Sequence, residues 1–248
     1  MRDETDRTYV ITGASRGIGR GIAEALGREG GTVVVNYRSS EAAAYDVADT
    51  ITDAGGTAIA VQADVSEFDQ VQAMKEHVHE TVGPVDVLVN NAGITADRKF
   101  SNMTREEWDS VIDVNLGGVF NCTKAFFEDI KQTDAGRLIN ISSVIGRQGN
   151  YGQANYAAAK SGLFGFTRSI ALELASSGST ANCVAPGYTS TEMVDEVPEK
   201  IQERIRDDIP LDRFADVDDI AAAVSFLASE DTSYVTGEVI DVNGGLDV

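Results

Sequence analysis

Tyr156 and Lys160 are the two side chains whose types and spacing most directly suggest chemistry. They lie four residues apart in a segment with a helical pattern, so they share one face of the predicted helix. A phenol is a poor acid–base catalyst near neutral pH because its reference pKa is about 10. A neighbouring ammonium group favours the phenolate and is expected to lower that pKa. The pair therefore predicts a proton-transfer site.

A serine hydroxyl is expected near this pair. Ser143 follows a buried strand-like run and precedes Tyr156 by 13 residues. Its hydroxyl could hydrogen bond to a carbonyl oxygen and stabilise a developing alkoxide. Ser142 is the alternative donor at the same strand end. No carboxylate pair, Ser/His/Asp arrangement or cluster of metal ligands competes with this set, and no metal site is predicted.

A glycine-rich turn follows the first predicted strand and opens a helix. Residues 12–19 read TGASRGIG, with Gly13, Gly17 and Gly19 as the glycines. Such a turn lets the backbone approach a pyrophosphate, which then meets free N–H groups at the helix N-terminus. The spacing is G-x-x-x-G-x-G and meets the general dinucleotide fingerprint only in part. A purely structural turn is the alternative.

The elements that must position these residues alternate between strand and helix along the chain. This alternation predicts a single α/β domain, a Rossmann-type doubly wound parallel sheet of about seven strands with helices on both faces. Residues 188–212 interrupt the alternation, and we interpret them as a mobile substrate lid inserted into the domain. Strands are predicted at residues 8–12, 32–36, 57–62, 85–90, 137–141, 180–184 and 238–242, with helices at 18–29, 41–54, 68–82, 105–130 and 155–176.

The charge balance is the unusual feature of the composition. The chain of 248 residues carries 40 acidic and 20 basic residues, a formal net charge of -20. The acids are spread along the chain, as in halophilic proteins that stay soluble in molar salt, where screening is strong. An ordinary acidic protein is the alternative. Such a field disfavours nucleic acid as a partner. The absence of a leader or a long apolar run predicts a cytoplasmic protein that does not span a membrane.

Three motifs occur in a diagnostic order. TGASRGIG is followed by Asn90-Asn91-Ala92-Gly93 and then by Tyr156-x-x-x-Lys160. In this order and register the chain resembles the short-chain dehydrogenase/reductase family, from Tyr9 to residues 243–245. The resemblance implies catalytic roles for Asn115, Ser143, Tyr156 and Lys160, with Asn115 holding a water in contact with the lysine.

The same resemblance implies a nicotinamide cofactor, whose positive charge would also favour the phenolate of Tyr156. Asp64 is expected to hold the adenine amino group, and Asn91 to line the adenosine side. The implied cofactor contacts are Gly13, Ser15, Arg16, Gly17, Ile18, Gly19, Arg38, Asp64, Val65, Asn91, Ala92, Gly93, Tyr156, Lys160, Pro186 and Gly187.

The end of the second strand predicts NADP(H) as that cofactor. An acidic residue there would favour NAD, but no carboxylate precedes Glu41. Arg38 follows the strand, and Arg16 in the glycine loop is expected to face the same corner. Two guanidinium groups suit the adenosine 2′-phosphate. Two solvated arginines are the alternative.

Within the family, the chain is most similar to reductases of 3-oxoacyl thioesters. The favoured reaction is NADPH-dependent reduction of acetoacetyl-CoA to (R)-3-hydroxybutyryl-CoA for polyhydroxyalkanoate synthesis, with a small-molecule acyl-CoA as the substrate. The alternatives are a 3-oxoacyl-acyl-carrier-protein substrate in fatty-acid synthesis and, in another class, a non-catalytic NADP(H)-binding regulator. Ala96 stands where such reductases often carry a basic residue. The implied assembly is a homotetramer, and the implied substrate contacts are Asn150, Tyr151, Gln153 and Tyr188.

Overall fold

The computed structural model describes residues 7–191 and 198–247 of the chain. Seven strands form one sheet in the order β3-β2-β1-β4-β5-β6-β7, and every pair of neighbouring strands is parallel. The strands are β1 (Thr8–Ile11), β2 (Thr32–Tyr37), β3 (Thr57–Gln62), β4 (Val87–Asn90), β5 (Arg137–Ile141), β6 (Thr180–Pro186) and β7 (Val239–Val242).

Helices cover both faces of this sheet, and each face has its own apolar core. One core joins the sheet to α1, α2 and α9, and the other joins it to α3, α5 and α7. Burial on both sides explains the continuous apolar runs of the central strands. The helices are α1 (Gly17–Arg28), α2 (Glu41–Asp53), α3 (Phe68–Thr81), α4 (Arg105–Ile112), α5 (Gly118–Gln132), α6 (Ile145–Gln148), α7 (Ala154–Leu174), α8 (Glu199–Asp207) and α9 (Val217–Ala228).

The predicted fold class is confirmed, with two corrections to the elements. The helix predicted over residues 105–130 is not continuous, because a π-helical turn at Asp113–Gly117 separates α4 from α5. Asn115 and Gly117 lie in this turn, and both are residue types that favour a regular α-helix poorly. The fourth strand begins at Val87 and not at residue 85, and the Asp86 carboxylate just before it accepts a hydrogen bond from the backbone N–H of Thr8.

The segment predicted to be a lid lies between β6 and α9. Residues 192–197 of it lie outside the described residues, so the lid stays a prediction. Its first residues are bonded to Ala215, which lies just beyond its end: Ala215 donates its N–H to the Tyr188 carbonyl, and Ser190 donates to the Ala215 carbonyl. Helix α8, within the segment, has no buried residue. Among the helices described, none has the length and apolarity needed to cross a membrane.

Candidate active site

The candidate site lies where the order of the strands reverses. β1 pairs with β2 on one side and with β4 on the other, so a crevice opens beyond the carboxyl ends of β1 and β4. Ligands of open α/β sheets bind in such crevices. The segments that follow β1, β4, β5 and β6 carry most of the residues singled out in the sequence.

The glycine loop is shaped by its own backbone and by Asn36 on β2. Gly13 and Gly17 have φ values of 62° and 55°, which residues other than glycine rarely adopt. The buried Asn36 accepts the Gly13 N–H with its side-chain oxygen and the Ala14 N–H with its carbonyl. Its amide donates to the carbonyls of Val61 and Ala63 at 3.3 and 3.2 Å, which ties the loop to β3.

The loop after β4 is tied to the same glycine loop. The Asn91 side chain donates to the carbonyls of Thr12 and Gly13 at 2.9 and 3.1 Å. The Thr12 hydroxyl accepts the N–H groups of Asn91 and Ala92. A Cβ on Gly19 would lie 2.4 Å from the Asn91 amide nitrogen, so only glycine fits there. Asn91 therefore joins the two halves of the crevice, and its contact with an adenosine stays a prediction.

Arg38 and Asp64 lie at the corner beyond β2 and β3. The Arg38 side chain is 59% exposed, and its Nη1 lies 4.0 Å from an Asp64 oxygen. The other Asp64 oxygen accepts the hydroxyl of Ser66 at 2.6 Å. Arg16, at the start of α1, is also exposed. Arg38 thus offers a guanidinium group to an anion at this corner, and the approach of Arg16 to the same corner stays a prediction. The predicted contact with the adenine amino group by Asp64 stays a prediction.

The remaining predicted cofactor residues follow the same strand ends. Ser15 is buried and Ile18 partly buried at the start of α1, while Val65 is buried under α5. Asn121 of α5 donates its amide to the Val65 carbonyl at 2.9 Å. Pro186 ends β6, and the Gly187 N–H donates to the Val242 carbonyl of β7.

Tyr156 is held near the N-terminus of α7. Burial raises the pKa of its phenol to about 12, with a further rise from Asp97, while a hydrogen bond with the Ser143 side chain acts in the opposite direction. The expected lowering by Lys160 is not seen in the protein alone, because desolvation dominates. A phenol with this pKa keeps its proton at neutral pH.

Lys160 is 3% exposed and lies one helical turn further along α7. Its ammonium lies 5.6 Å from the centre of the Tyr156 ring and donates to the Ile141 carbonyl at 2.7 Å. Burial lowers its pKa to about 8, and the nearby Cys183 thiol acts in the opposite direction. Because that value is still above 7, the lysine is mostly charged at neutral pH.

The two serines after β5 have different surroundings. The Ser142 hydroxyl is buried and donates to the Lys160 carbonyl at 2.8 Å. The Ser143 hydroxyl accepts the Ile145 N–H at 3.1 Å and interacts with the Tyr156 phenol. Ser142 therefore contacts the helix backbone, whereas Ser143 contacts the reactive side chain. This difference supports Ser143 as the hydroxyl for a substrate carbonyl.

Asn115 is fully buried in the π-helical turn. Its side chain accepts the Ile94 N–H at 2.8 Å and donates to the Ile94 carbonyl at 2.9 Å. A Cβ on Gly93 would lie 3.3 Å from the Asn115 side-chain oxygen and 3.5 Å from the Lys160 nitrogen. The side chains of Asn115 and Lys160 therefore both lie beside the exposed Gly93. The water predicted for Asn115 stays a prediction.

The predicted substrate residues form a rim over this site. Gln153 donates its amide to both carboxylate oxygens of Asp97 and accepts the amide of Asn150 at 2.8 Å. Tyr151 is 78% exposed and lies 5.7 Å from the Lys99 ammonium. We name Asn150, Tyr151 and Gln153 the rim.

Tyr188 lies apart from the rim, after β6. It is partly buried against Phe214, with the two ring centres 6.3 Å apart. Burial raises the pKa of its phenol, with a smaller contribution from Asp208. The four predicted substrate residues therefore lie on two segments of the chain: the rim precedes α7, and Tyr188 follows β6.

Two residues of the site were not singled out in the sequence for their roles. Asn36 holds the glycine loop, and Asp97 joins the rim to the surroundings of Tyr156. An amide in a buried strand is a signal that could have indicated the first. Nothing local in the sequence indicates the second, because its partner lies 56 residues further along the chain.

A seven-stranded parallel sheet, a glycine loop at its switch point and a Ser-Tyr-Lys set beside it are features of one class of oxidoreductase. The comparisons with known proteins agree: a family model described as enoyl-(acyl carrier protein) reductase matches residues 13–247. The chain belongs to the short-chain dehydrogenase/reductase family.

Individual relatives match nearly the whole chain. It is 48% identical over 240 residues to a 3-oxoacyl-[acyl-carrier-protein] reductase of Staphylococcus aureus, covering 97% of this chain and 98% of the relative. It is 46% identical over 241 residues to an acetoacetyl-CoA reductase of Allochromatium vinosum, covering 97% and 98%. A 3-oxoacyl-[acyl-carrier-protein] reductase of Synechocystis is 46% identical over 243 residues, covering 98% and 97%.

Proposed function

We propose that this oxidoreductase uses NADPH to reduce a 3-oxoacyl thioester to the (R)-3-hydroxyacyl thioester, with acetoacetyl-CoA as the preferred substrate. The observation that carries the proposal is the buried Lys160 ammonium, which donates to the Ile141 carbonyl at 2.7 Å and lies 5.6 Å from the centre of the Tyr156 ring. Ser143 acts to lower the pKa of the same phenol. The relatives named for 3-oxoacyl and acetoacetyl thioesters support the substrate class.

The crevice fits a dinucleotide. A Cβ on Gly13 would lie 2.9 Å from the Ala92 backbone, and the positive φ of Gly17 keeps the start of α1 free of a side chain. Gly93 leaves the face beside Lys160 open in the same way. The glycine loop would hold the pyrophosphate, and Gly93 and Lys160 would border the nicotinamide half. When bound, NADPH supplies the hydride.

The chain's own residues handle the proton. Tyr156 is protonated at neutral pH, so it can donate its proton to the substrate oxygen. Ser143 hydrogen bonds to the same oxygen and stabilises its developing charge. The Lys160 ammonium, still mostly charged, favours the phenolate that remains after transfer. These protonation states suit reduction better than oxidation.

NADPH is proposed over NADH because of the corner beyond β2. Asn36 occupies the buried strand end and binds backbone, and the first exposed side chain after the strand is the cationic Arg38. With Arg16 it provides positive charge in a strongly acidic protein. Guanidinium groups bind phosphate oxygens in pairs, which the 2′-phosphate offers and a ribose hydroxyl does not.

Acetoacetyl-CoA is proposed over an acyl-carrier-protein thioester on grounds of charge. Acyl carrier proteins are acidic, and a surface of net charge -20 repels an acidic partner. The relatives from Staphylococcus aureus and Synechocystis support the alternative, which therefore remains the second candidate. The tetramer also stays a prediction, supported by Phe120 on α5 and Leu172 on α7, which are 53% and 81% exposed.

The deciding experiment is oxidation of NADPH by the purified protein at ~0.1 M and at ~1 M salt, because the charge of the surface acts on a carrier protein at the lower concentration and is largely screened at the higher one. Acetoacetyl-CoA, longer 3-oxoacyl-CoAs and acetoacetyl-acyl-carrier-protein are supplied in parallel. We expect the highest kcat/KM with acetoacetyl-CoA and a lower value with the carrier-protein thioester. The reverse order would support fatty-acid synthesis. Binding of NADPH without turnover of any thioester would instead indicate a non-catalytic regulator.

A further inference from the structure

The connection between β5 and α6 contacts Lys160 at three separate points. The Ile141 carbonyl accepts the lysine ammonium at 2.7 Å, and the Ser142 hydroxyl donates to the lysine carbonyl at 2.8 Å. Gly146 lies against the lysine main chain: a Cβ there would be 3.0 Å from its carbonyl carbon. We name residues 141–146 the lysine clamp. It contacts both the side-chain ammonium and the main chain of Lys160.

The Ser142 contact is unusual for the middle of a helix. Lys160 lies well inside α7, where backbone carbonyls already accept helical hydrogen bonds. A second donor from a buried side chain therefore fixes the position of this turn along the helix axis and contributes little to helix formation itself. Ser142 is in turn fixed to the sheet, because its N–H donates to the Val184 carbonyl at 2.7 Å.

Gly146 fixes the same turn from the other side. Its missing side chain allows α6 to approach Lys160 and Ser161, and the Ser161 hydroxyl donates back to the Gly146 carbonyl. Contacts this tight leave no room for α7 to slide. Ser143 belongs to the clamp as well, so one short segment holds three members of the proposed site in register.

We infer that Ser142 and Gly146 are positioning residues: they hold α7 where the Lys160 ammonium reaches the Ile141 carbonyl and Tyr156 reaches Ser143. The inference rests on the proposed function only for its catalytic readout. Displacements of about 1 Å from the productive geometry can cost on the order of 100-fold in rate. A loosened clamp should therefore affect turnover far more than stability.

The pKa of Lys160 depends on how deeply the lysine clamp holds its ammonium, so titration of Lys160 measures whether the clamp is intact. The titratable groups that face the ammonium are Tyr156 on α7 and Cys183 on β6. Its pKa is lowered by burial, so a displacement that admits water moves the titration midpoint upward. With six lysines in the chain, the resonances of a protein labelled with ¹³C at the lysine Cε can be assigned by single substitutions.

Ser142→Ala is the first test, and Ser179→Ala is its matched control. Ser179 is also buried, and its hydroxyl donates to the Ile130 carbonyl at 2.7 Å, away from the site. Both variants should lose similar thermal stability, because each loses one buried hydrogen bond to a backbone carbonyl. Ser179→Ala also loses the weaker bond that its hydroxyl accepts from Ser177 at 3.1 Å. Only Ser142→Ala should raise the Lys160 midpoint, by at least ~0.5 pH units, and lower kcat about 10-fold. The alkaline limb of its kcat/KM profile should move upward with the lysine.

Gly146→Ala is an independent test should Ser142→Ala fail to fold. Its control is Gly165→Ala on α7, the helix that carries Lys160, where an added Cβ meets no atom within 4 Å. We expect the same shifts of the lysine midpoint and kcat from Gly146→Ala and none from the control. A Lys160 midpoint that matches the controls in both Ser142→Ala and Gly146→Ala would overturn the inference, whatever the change in kcat.

The two proposals fail in different ways. If the wild-type protein reduces no 3-oxoacyl thioester, the proposed substrate is wrong, and the lysine titration still tests the clamp. If the wild-type protein is active but the Lys160 midpoint does not respond to Ser142→Ala or Gly146→Ala, only the positioning role is wrong.

Discussion

Two parts of the site are built in opposite ways: the rim, and the inner part that holds Tyr156 and Lys160, which we name the floor. On the floor, Lys160 is 3% exposed and its contacts are to the backbone of β5 and of the segment that follows it. On the rim, Tyr151 is 78% exposed, and Gln153 and Asn150 bond to other exposed side chains. Backbone partners cannot change rotamer, whereas side-chain partners on a surface can.

This difference separates two kinds of function. A buried floor with fixed partners sets protonation states, as the shifted pKa values of Tyr156 and Lys160 show. The side chains of the rim can adapt to a substrate, and their link to those states is Asp97, which accepts the Gln153 amide and raises the pKa of Tyr156. We therefore expect floor substitutions to change kcat and rim substitutions to change KM, and the predictions below test that division.

The largest effect is expected from Tyr156→Phe. The substitution keeps the ring and removes the proton donor, so turnover should fall at least ~100-fold. Affinity for NADPH, measured by fluorescence titration, should stay nearly unchanged. Turnover close to that of the wild type would contradict the mechanism and remove the distinction between floor and rim.

The second effect concerns the cofactor corner, which is exposed like the rim but charged. Replacing both Arg16 and Arg38 by Ala should raise the KM for NADPH much more than that for NADH. Each charge-assisted contact with the 2′-phosphate is worth about 1.5–3 kcal/mol. Arg28→Ala, an exposed arginine at the end of α1, is the control. Equal changes for the two cofactors would mean that neither arginine binds the phosphate.

A smaller effect is expected from Tyr151→Ala on the rim. Loss of an aromatic contact worth about 0.5–1.5 kcal/mol should raise the KM for acetoacetyl-CoA roughly 2- to 12-fold. The value of kcat should stay within about twofold, because the floor is untouched. Tyr234→Ala, at a fully exposed tyrosine, is the matched control. A fall in kcat with an unchanged KM would show that the rim and the floor are coupled.

The smallest effect is expected from salt. Raising the salt concentration from ~0.1 to ~1 M shortens the screening length from about 10 to about 3 Å. Repulsion between the acidic surface and the anionic substrates is then removed, so activity and melting temperature should rise together. Maxima of both below about 0.2 M would show that the acidic composition is not an adaptation to salt.

The sequence predicted the sheet well because burial on both faces leaves a strong pattern. β3 and β5 have the predicted bounds, and the other strands differ by one or two residues. The π-helical turn was indicated only by the unfavourable Asn115 and its glycines. Its extent depends on the bonds to Ile94, which is 21 residues earlier in the chain.

The site was predictable only where a residue type carries its own chemistry. The spacing of Tyr156 and Lys160 suggests proton transfer, and the sequence favoured Ser143 over Ser142. The structure adds what each serine hydroxyl contacts. The direction of the Tyr156 pKa shift was not predictable either. It depends on desolvation by the surrounding fold, which a spacing of four residues does not reveal.

The position of β1 between β2 and β4 has a consequence for how the chain folds as it is made. Thr8 pairs with Thr32 on one side, but the partner on the other side, β4, ends only at Asn90. At 5–20 residues per second, the roughly 80 residues after β1 take about 4–16 s to synthesise. In the part of that interval that follows the synthesis of β2, which ends at Tyr37, the nascent chain presents the edge of β1 without its second neighbour. Until β4 is made, aggregation through that edge has to be prevented by the charge of the nascent chain, by chaperones or by fast elongation.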